Sequence, residues 1–305
     1  MRETAERIII PPRLKPGGTI GLVTPAGPIR YPDKLRSGIS ILEEAGFKVK
    51  QPIALTEEEY LAGSDEERAR QFIEVWDDPE VEAVMAVRGG YGALRLLHYL
   101  DPARLGENPK ILAGFSDITI LLNEIQRCTG LVTYHTPVVT TLPTSDEASR
   151  RSFFETLTGP PRAITPPDLT ILTGGRAEGR LIGGNLASLC HLLGTPHEPE
   201  WRDGILFLED VGEPVYKIDR MLTQLKVSGR FAQLNGLILG TFTEGDEQEK
   251  DWAKQVWARA SQLTEGGIPL WGNFPVGHTA RNLSLPVGMQ AVMDSKEGRL
   301  EFIEP

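Results

Sequence analysis

The stretch Thr19-Ile20-Gly21-Leu22-Val23-Thr24-Pro25-Ala26-Gly27-Pro28 decides the fold. Thr19 to Val23 carries no charge and reads as a buried strand, and the Thr-Pro-Ala-Gly-Pro that follows is turn chemistry. Beyond the turn, Leu35, Ile39 and Leu42 fall at helical spacing, and Gly46 is placed as a helix stop. Phe47-Lys48-Val49 opens a second strand. Ser64 and Glu67 form a capping box for a helix that carries Ala69, Phe72, Ile73 and Trp76 on one side. Further strands are expected at Glu82 to Val87, Ile111 to Gly114 and Leu131 to Tyr134. Such alternation of strands and helices predicts a parallel sheet with helices on both faces.

The pattern breaks between Thr158 and Gly175, where Pro160-Pro161, Pro166-Pro167 and Gly174-Gly175 frame a weakly periodic segment. We read 1–157 as one α/β domain, 158–175 as a linker and 176–305 as a second α/β domain. In the second domain, strands are expected at Gly179 to Ile182, Ile205 to Glu209, Leu237 to Gly240, Gln290 to Met293 and Leu300 to Ile303. Helices are expected at Asn185 to Leu193, Val215 to Val227 and Asp246 to Leu263. No repeat of fixed period is present.

Composition narrows the function. The 305 residues, 40% hydrophobic and 24% charged, describe a globular chain of about two domains. With 32 basic against 42 acidic residues the net charge is −10, and no Lys/Arg block exists to hold a phosphate backbone, so nucleic acid is not an expected partner. Binding an anion would need a few local arginines working against the global field. Cys128 and Cys190 lie far apart without metal-ligand spacing, so two thiols in a reducing compartment, rather than a disulfide or a zinc site, are expected. Ile8-Ile9-Ile10 is too short for a signal-peptide core, and no run approaches the ~18 apolar residues of a membrane span. A cytoplasmic protein with no metal, no cofactor and no membrane contact is the expectation.

Ligands of parallel sheets collect at the carboxyl ends of strands, so the strand-to-helix turns matter most. Arg88-Gly89-Gly90-Tyr91-Gly92 follows the third expected strand. It fits a phosphate cradle, a turn needing positive φ, or one side of an oxyanion hole, though it lacks the P-loop ending. Ser116, in Gly114-Phe115-Ser116-Asp117-Ile118, fits either a helix N-cap or a nucleophile on a sharp turn; the second glycine of a G-x-S-x-G elbow is missing. Among possible bases, His98 and His191 read as helical packing or surface residues and His197 lies in a Pro-rich loop. His135 ends a strand and can face a ligand, and His278 sits among the small residues of Gly277-His278-Thr279-Ala280. Glu209 ends the apolar run Ile205-Leu206-Phe207-Leu208, where an unpaired charge is costly. It needs a partner, either a histidine or a cation such as Arg220. The order Ser116, Glu209, His278 is compatible with a triad.

The residues Arg88-Gly89-Gly90-Tyr91-Gly92, Gly114-Phe115-Ser116-Asp117, Gly183-Gly184-Asn185-Leu186, Phe207-Leu208-Glu209-Asp210 and Gly277-His278, in this order, resemble the LD-carboxypeptidases (muramoyltetrapeptide carboxypeptidases) and the related microcin-immunity peptidases. The resemblance implies an N-terminal flavodoxin-like layer with a C-terminal β-rich α/β domain, and a homodimer. It implies a serine peptidase whose triad maps onto Ser116, Glu209 and His278, with Glu213 fitting the Glu-to-His gap less well. Its oxyanion donors fall on the backbone N–H groups of Gly90 and Asp117. The implied substrate is a murein tetrapeptide, cut between the L-centre of its diamino acid and terminal D-Ala. From loop position, Arg88 is a candidate for the terminal carboxylate, and Asn185, Tyr91 and Arg281 are candidates for other peptide contacts; Asn185 equally fits a helix N-cap. One departure is His135-Thr136-Pro137, where many relatives carry glycine in the middle. Two alternatives stand beside this reading. A microcin-immunity activity on aminoacyl-adenylate-like toxins needs an aromatic platform, and 186–204 offers Trp201 alone. A non-catalytic peptide binder would have little use for all three triad residues. A nucleotide role for the Arg88 loop is a distant third.

Overall fold

The computed structural model describes residues 7–53, 55–243 and 252–304. Its first half runs β1 (Thr19–Val23), α1 (Pro32–Glu44), β2 (Lys48–Lys50), α2 (Asp65–Asp77), β3 (Val81–Ala86), α3 (Pro102–Glu107), β4 (Ile111–Gly114), α4 (Thr119–Thr129), β5 (Thr133–His135) and α5 (Glu147–Thr158). The five strands are parallel and ordered β2-β1-β3-β4-β5. That is the doubly wound flavodoxin-like order, whose crevice opens where the strand order reverses, at β1 and β3. Alternate residues of β3 explain the two covered faces. Val84 and Ala86 pack with Phe72, Trp76 and Leu122, and Ala83 and Met85 pack with Leu42 and Phe153. Ser64 and Glu67 cap α2 reciprocally, as expected.

The second half comprises β6 (Thr170–Thr173), β7 (Arg176–Asn185), α6 (Leu186–Cys190), β8 (Gly204–Val211), α7 (Val215–Val227), β9 (Leu234–Thr243), α8 (Trp252–Thr264), β10 (Leu270–Gly272), β11 (Leu285–Val287), β12 (Gln290–Asp294) and β13 (Arg299–Ile303). Its sheet is ordered β13-β12-β7-β8-β9-β10-β6, with a parallel centre from β7 to β10 and antiparallel edges. α7 buries Ile218, Leu222 and Leu225 along the single stripe that its sequence shows.

Several features depart from the patterning. The segment 158–175 carries β6, which pairs with β10 and closes an edge of the second sheet. β11 leaves the second half and adds antiparallel to β5 of the first sheet, Leu285 opposite His135. β6, β10 and β11 span three or four residues each, too few for an alternation to register. His98 lies in a turn and His191 just past α6, so neither is helical. Of the helix expected from Asp246, residues 246–251 lie outside the described residues. Cys128 and Cys190 form no disulfide. Among the described residues no helix is long and apolar enough to cross a membrane, and no cluster of His, Cys, Asp or Glu is arranged to hold a metal ion.

Candidate active site

A cleft of about 410 Å³ opens at the carboxyl ends of the first sheet. Arg30 reaches it after β1, Arg88 to Gly90 after β3, and Ser116 after β4, while the second half contributes Val211 and His278.

The chain passes from β4, buried throughout, into α4 through the short 3-10 turn Ser116–Ile118. Phe115 is extended, and Ser116 sits at φ 65°, in the left-handed region. A non-glycine residue there costs roughly 1–3 kcal/mol and persists only where its surroundings impose it. The Ser116 side chain makes no capping bond to either the turn or α4, so the N-cap reading is not what the structure adopts. Gly89 lies so close that a Cβ on it would stand 2.9 Å from Ser116 Oγ, so any larger residue would obstruct the hydroxyl. Asp117 is buried and accepts a hydrogen bond from Ala93 N at 2.8 Å, which fastens the end of the Arg88 loop to the Ser116 turn. Burial pushes the Asp117 carboxyl up to about 6, against the pull of the Ala93 N–H and the Arg68 charge. Arg68 is itself fully buried and donates to Gly92 O at 3.0 Å, to Gly63 O at 3.1 Å and to Pro25 O, with Asp65 as its ion-pair partner.

Glu209, at the carboxyl end of β8, is fully buried, and its Oε2 accepts a 2.7 Å hydrogen bond from His278 Nδ1. Burial alone would raise the Glu209 carboxyl. The charge and hydrogen bond of His278, with smaller contributions from His135 and Asn185, outweigh burial and hold it below the usual range. The same pair works in reverse on the imidazole, where Glu209 and Asp210 outweigh burial and raise His278. Arg220 instead lies over the Tyr216 ring, and Glu213 pairs with Lys217 at 3.1 Å, so neither competes for this pairing. Gly277, at φ 132°, lets the loop drop onto Glu209. A Cβ there would stand 2.1 Å from Thr241 Oγ1 and 3.1 Å from Glu209 Oε2.

His278 reaches the first half's cleft because residues 277–287 form a strap between the two sheets. Asn282 Oδ1 accepts from Gly277 N at 3.0 Å and lies 3.3 Å from His135 Nε2, which places the His135 proton on that nitrogen. Asn282 N donates to Ser149 Oγ of α5 at 2.8 Å, and β11 completes the crossing by pairing with β5. His135 is fully buried and does not face a ligand. Burial lowers it to about 4, so it is neutral at physiological pH. Asn282 escaped the sequence reading, since one polar residue in Arg281-Asn282-Leu283-Ser284 carries no spacing signal. The same holds for Arg30, an isolated surface arginine in sequence, and for Arg68, which reads as a helix-surface charge.

Across the cleft, the Phe115 ring stands 4.6 Å from the His278 imidazole. Among the described residues Ser116 Oγ makes no hydrogen bond, so the candidate relay is closed at its Glu–His end and open at its Ser–His end. Such contacts are often loose in a substrate-free site and tighten when the substrate binds.

The remaining candidates divide. Arg88 lines the cleft and donates to Pro28 O at 2.9 Å. Asn185 is buried and occupied. Its Oδ1 caps α6 through Ser188 N at 3.0 Å, and its Nδ2 donates to Asp210 Oδ1 at 3.1 Å. Its backbone N–H donates to Thr119 Oγ1 at 3.0 Å, which docks β7 on the helix behind Ser116. Tyr91 is half exposed, edge-on to Tyr60 at 5.5 Å, and is not part of the cleft wall. Arg281 pairs with Asp146 at 2.7 Å and borders a separate cavity of about 420 Å³.

Residues 20–136 match the LD-carboxypeptidase N-terminal domain and residues 178–293 match the LD-carboxypeptidase C-terminal domain. The chain belongs to the LD-carboxypeptidase family and is a peptidase. It is 36% identical over 297 residues to the probable murein peptide carboxypeptidase of Bacillus subtilis, covering 94% of this chain and 92% of that protein. The crystal structure of muramoyltetrapeptide carboxypeptidase from Oxalobacter formigenes superposes with a TM-score of 0.82 at 34% identity, covering 94% of this chain and 99% of the other. The microcin C7 self-immunity protein MccF of Escherichia coli is 28% identical over 326 residues, 94% of each chain. A structure of MccF superposes at 0.89 with 26% identity over 97% of this chain and 99% of its own.

Proposed function

We propose that this peptidase hydrolyses the L,D-peptide bond that holds terminal D-Ala on murein tetrapeptides of cell-wall turnover, by acyl transfer through Ser116, His278 and Glu209. The observation that carries the reading is the buried Glu209 carboxylate 2.7 Å from His278, on the cleft that also receives the strained Ser116.

With Nδ1 committed to Glu209, the other imidazole nitrogen is left to take the Ser116 proton. Oγ bonds to the scissile carbonyl carbon, and the oxygen that gains charge rests on the N–H groups of Gly90 and Asp117. Each such donor is typically worth about 3–4 kcal/mol in the transition state. Collapse breaks the C–N bond, and the imidazolium returns its proton to the departing amine of D-Ala. Water then adds to the acyl-enzyme by the same route and frees both Ser116 and the shortened peptide. Throughout, Glu209 fixes the tautomer and stabilises the imidazolium without being protonated.

Mass spectrometry of a murein tetrapeptide incubated with the enzyme tests this. Wild type should remove one D-Ala, and Ser116→Ala should remove none; equal cleavage by both would discard the nucleophile. The resemblance to MccF makes an aminoacyl-adenylate-like toxin the second substrate class to assay. Trp201, the one Phe, Tyr or Trp of 186–204, is buried and its Nε1 donates to Glu198 at 2.8 Å, so that segment offers no exposed ring of those three kinds for an adenine. In a head-to-head assay the tetrapeptide should be the better substrate.

A further inference from the structure

The wall of the cleft beside Ser116 is cationic in a chain of net charge −10. Arg88 lies against the candidate oxyanion loop: a Cβ on Gly27 would stand 3.3 Å from its Cζ, and one on Gly90 would stand 3.6 Å from its Nη2. Its single hydrogen bond goes from Nη1 to Pro28 O, and among the described residues no carboxylate pairs with it. Arg30, just before α1, lines the same cleft and likewise has no carboxylate partner among the described residues. Several arginines elsewhere do find acids, as Arg13 does Glu304, Arg95 does Asp65 and Arg281 does Asp146. Asp33, in the first turn of α1, is taken by Arg36. Burial and the charge of Arg30 both disfavour the charged form of Arg88. Two guanidinium groups facing one cleft without a counter-ion form an arrangement that an anion would relieve.

The reaction says where such an anion must lie. In a peptide about to lose its last residue, the terminal carboxylate carbon is three bonds from the scissile carbonyl carbon, within about one Cα–Cα step of 3.8 Å. Its receptor must therefore border the oxyanion hole, as the Arg88 guanidinium borders Gly90. We propose that Arg88 and Arg30 together receive the C-terminal carboxylate of the substrate, Arg88 as a planar fork and Arg30 from the α1 side, and that this pair makes the enzyme an exopeptidase. The proposal rests on the Ser116 peptidase reading and adds to it the group that selects a chain end.

The test compares one tetrapeptide with a free C-terminal carboxylate and the same peptide as its C-terminal amide. The measured quantity is the acid-to-amide ratio of kcat/KM in wild type, Arg88→Met, Arg88→Lys and Arg30→Gln. Wild type should favour the acid by about 100-fold or more, as charged hydrogen bonds at a partly desolvated site allow. The ratio should fall about 10- to 100-fold in Arg88→Met, less in Arg88→Lys, and about 5- to 10-fold in Arg30→Gln. Arg30 is exposed, so its variant tests the idea even if Arg88 is needed for folding. A wild-type ratio retained in Arg30→Gln and in the folded Arg88 variants, with Ser116→Ala inactive on both peptides, would overturn the carboxylate receptor while leaving the peptidase intact. Cleavage of neither peptide by wild type would instead bring down the peptidase reading and the receptor with it.

Discussion

The two halves of the candidate triad are positioned by different kinds of structure. The Ser116 turn is assembled by neighbours in one sheet: β4 feeds it, α4 leaves it, Gly89 clears space for its hydroxyl, and Asp117 ties it to Ala93. His278 rides on a strap with no regular structure of its own before β11. The strap is held by Glu209 from β8, His135 from β5, Ser149 from α5 and the pairing of β11 with β5. The difference teaches that a strained turn can be built locally, whereas a side chain brought from another sheet must be surveyed into place by contacts from both. Damage to the turn should therefore stay local. Damage to the strap should reach the chemistry from a distance.

The hardest test of that contrast is Glu209→Gln. An amide in place of the carboxylate keeps the shape but loses the charge that orients and stabilises the imidazolium, and kcat should fall about 10⁴-fold by analogy with other triads. As the proposed base His278 must be neutral, and Glu209 raises its pKa above the ordinary 6.5, so wild-type activity should decline as pH falls through a value above 6.5. Removing the negative charge lowers the His278 pKa, so the residual activity of the variant should show its acid limb at lower pH. A pH–rate profile of both enzymes checks the sign, and an unmoved limb would mean that Glu209 does not act on His278.

A smaller effect is expected from Asn282→Ala, which touches neither triad partner. It strands the Gly277 N–H and the His135 Nε2–H in a buried site and removes one of the strap's ties to the first sheet. A displacement of His278 by as little as about 1 Å should lower kcat about 100-fold with KM nearly unchanged. Asn282→Asp keeps the accepting oxygen and should recover part of the loss, a pattern that a general packing defect would not produce. Steady-state kinetics of the two variants separates these outcomes.

Asp117→Asn should be mildest for activity, because the oxyanion role assigned to residue 117 belongs to its backbone. Its effect should instead appear in stability. The native carboxyl titrates near 6 against 3.8 in an unfolded chain, so the folded state binds its proton more tightly and wild type loses stability as pH rises from about 4 to about 6. The asparagine avoids burying that charge while keeping an acceptor for Ala93 N. It should be more stable than wild type at pH 8 by about 1–3 kcal/mol, with the advantage gone by pH 4. Denaturant melts at the two pH values measure it, and a gain that persists at pH 4 would point to a cause other than the charge.

What the sequence by itself determined was the local grammar. Buried strands such as Thr19–Val23 show as uncharged runs, the α2 cap as Ser64 and Glu67, and the α7 face as a stripe of Ile218, Leu222 and Leu225, because each depends on residues a few positions apart. It also put Ser116 on a strand-to-helix turn and left Glu209 as a charge in an apolar strand that demanded a partner. The ordered motifs, by resemblance, already pointed to His278 as that partner, and tertiary structure supplies the contact where the residues alone left Arg220 open. Tertiary structure alone decided that His135 is sealed in the interior, that Arg30 shares a wall with Arg88, and that β11 crosses back to the first sheet. The physical reason is range. A hydrogen bond between His135 and Asn282 joins residues 147 positions apart, and one between Glu209 and His278 joins residues 69 apart, so their strength comes from burial and geometry that no short-period pattern encodes.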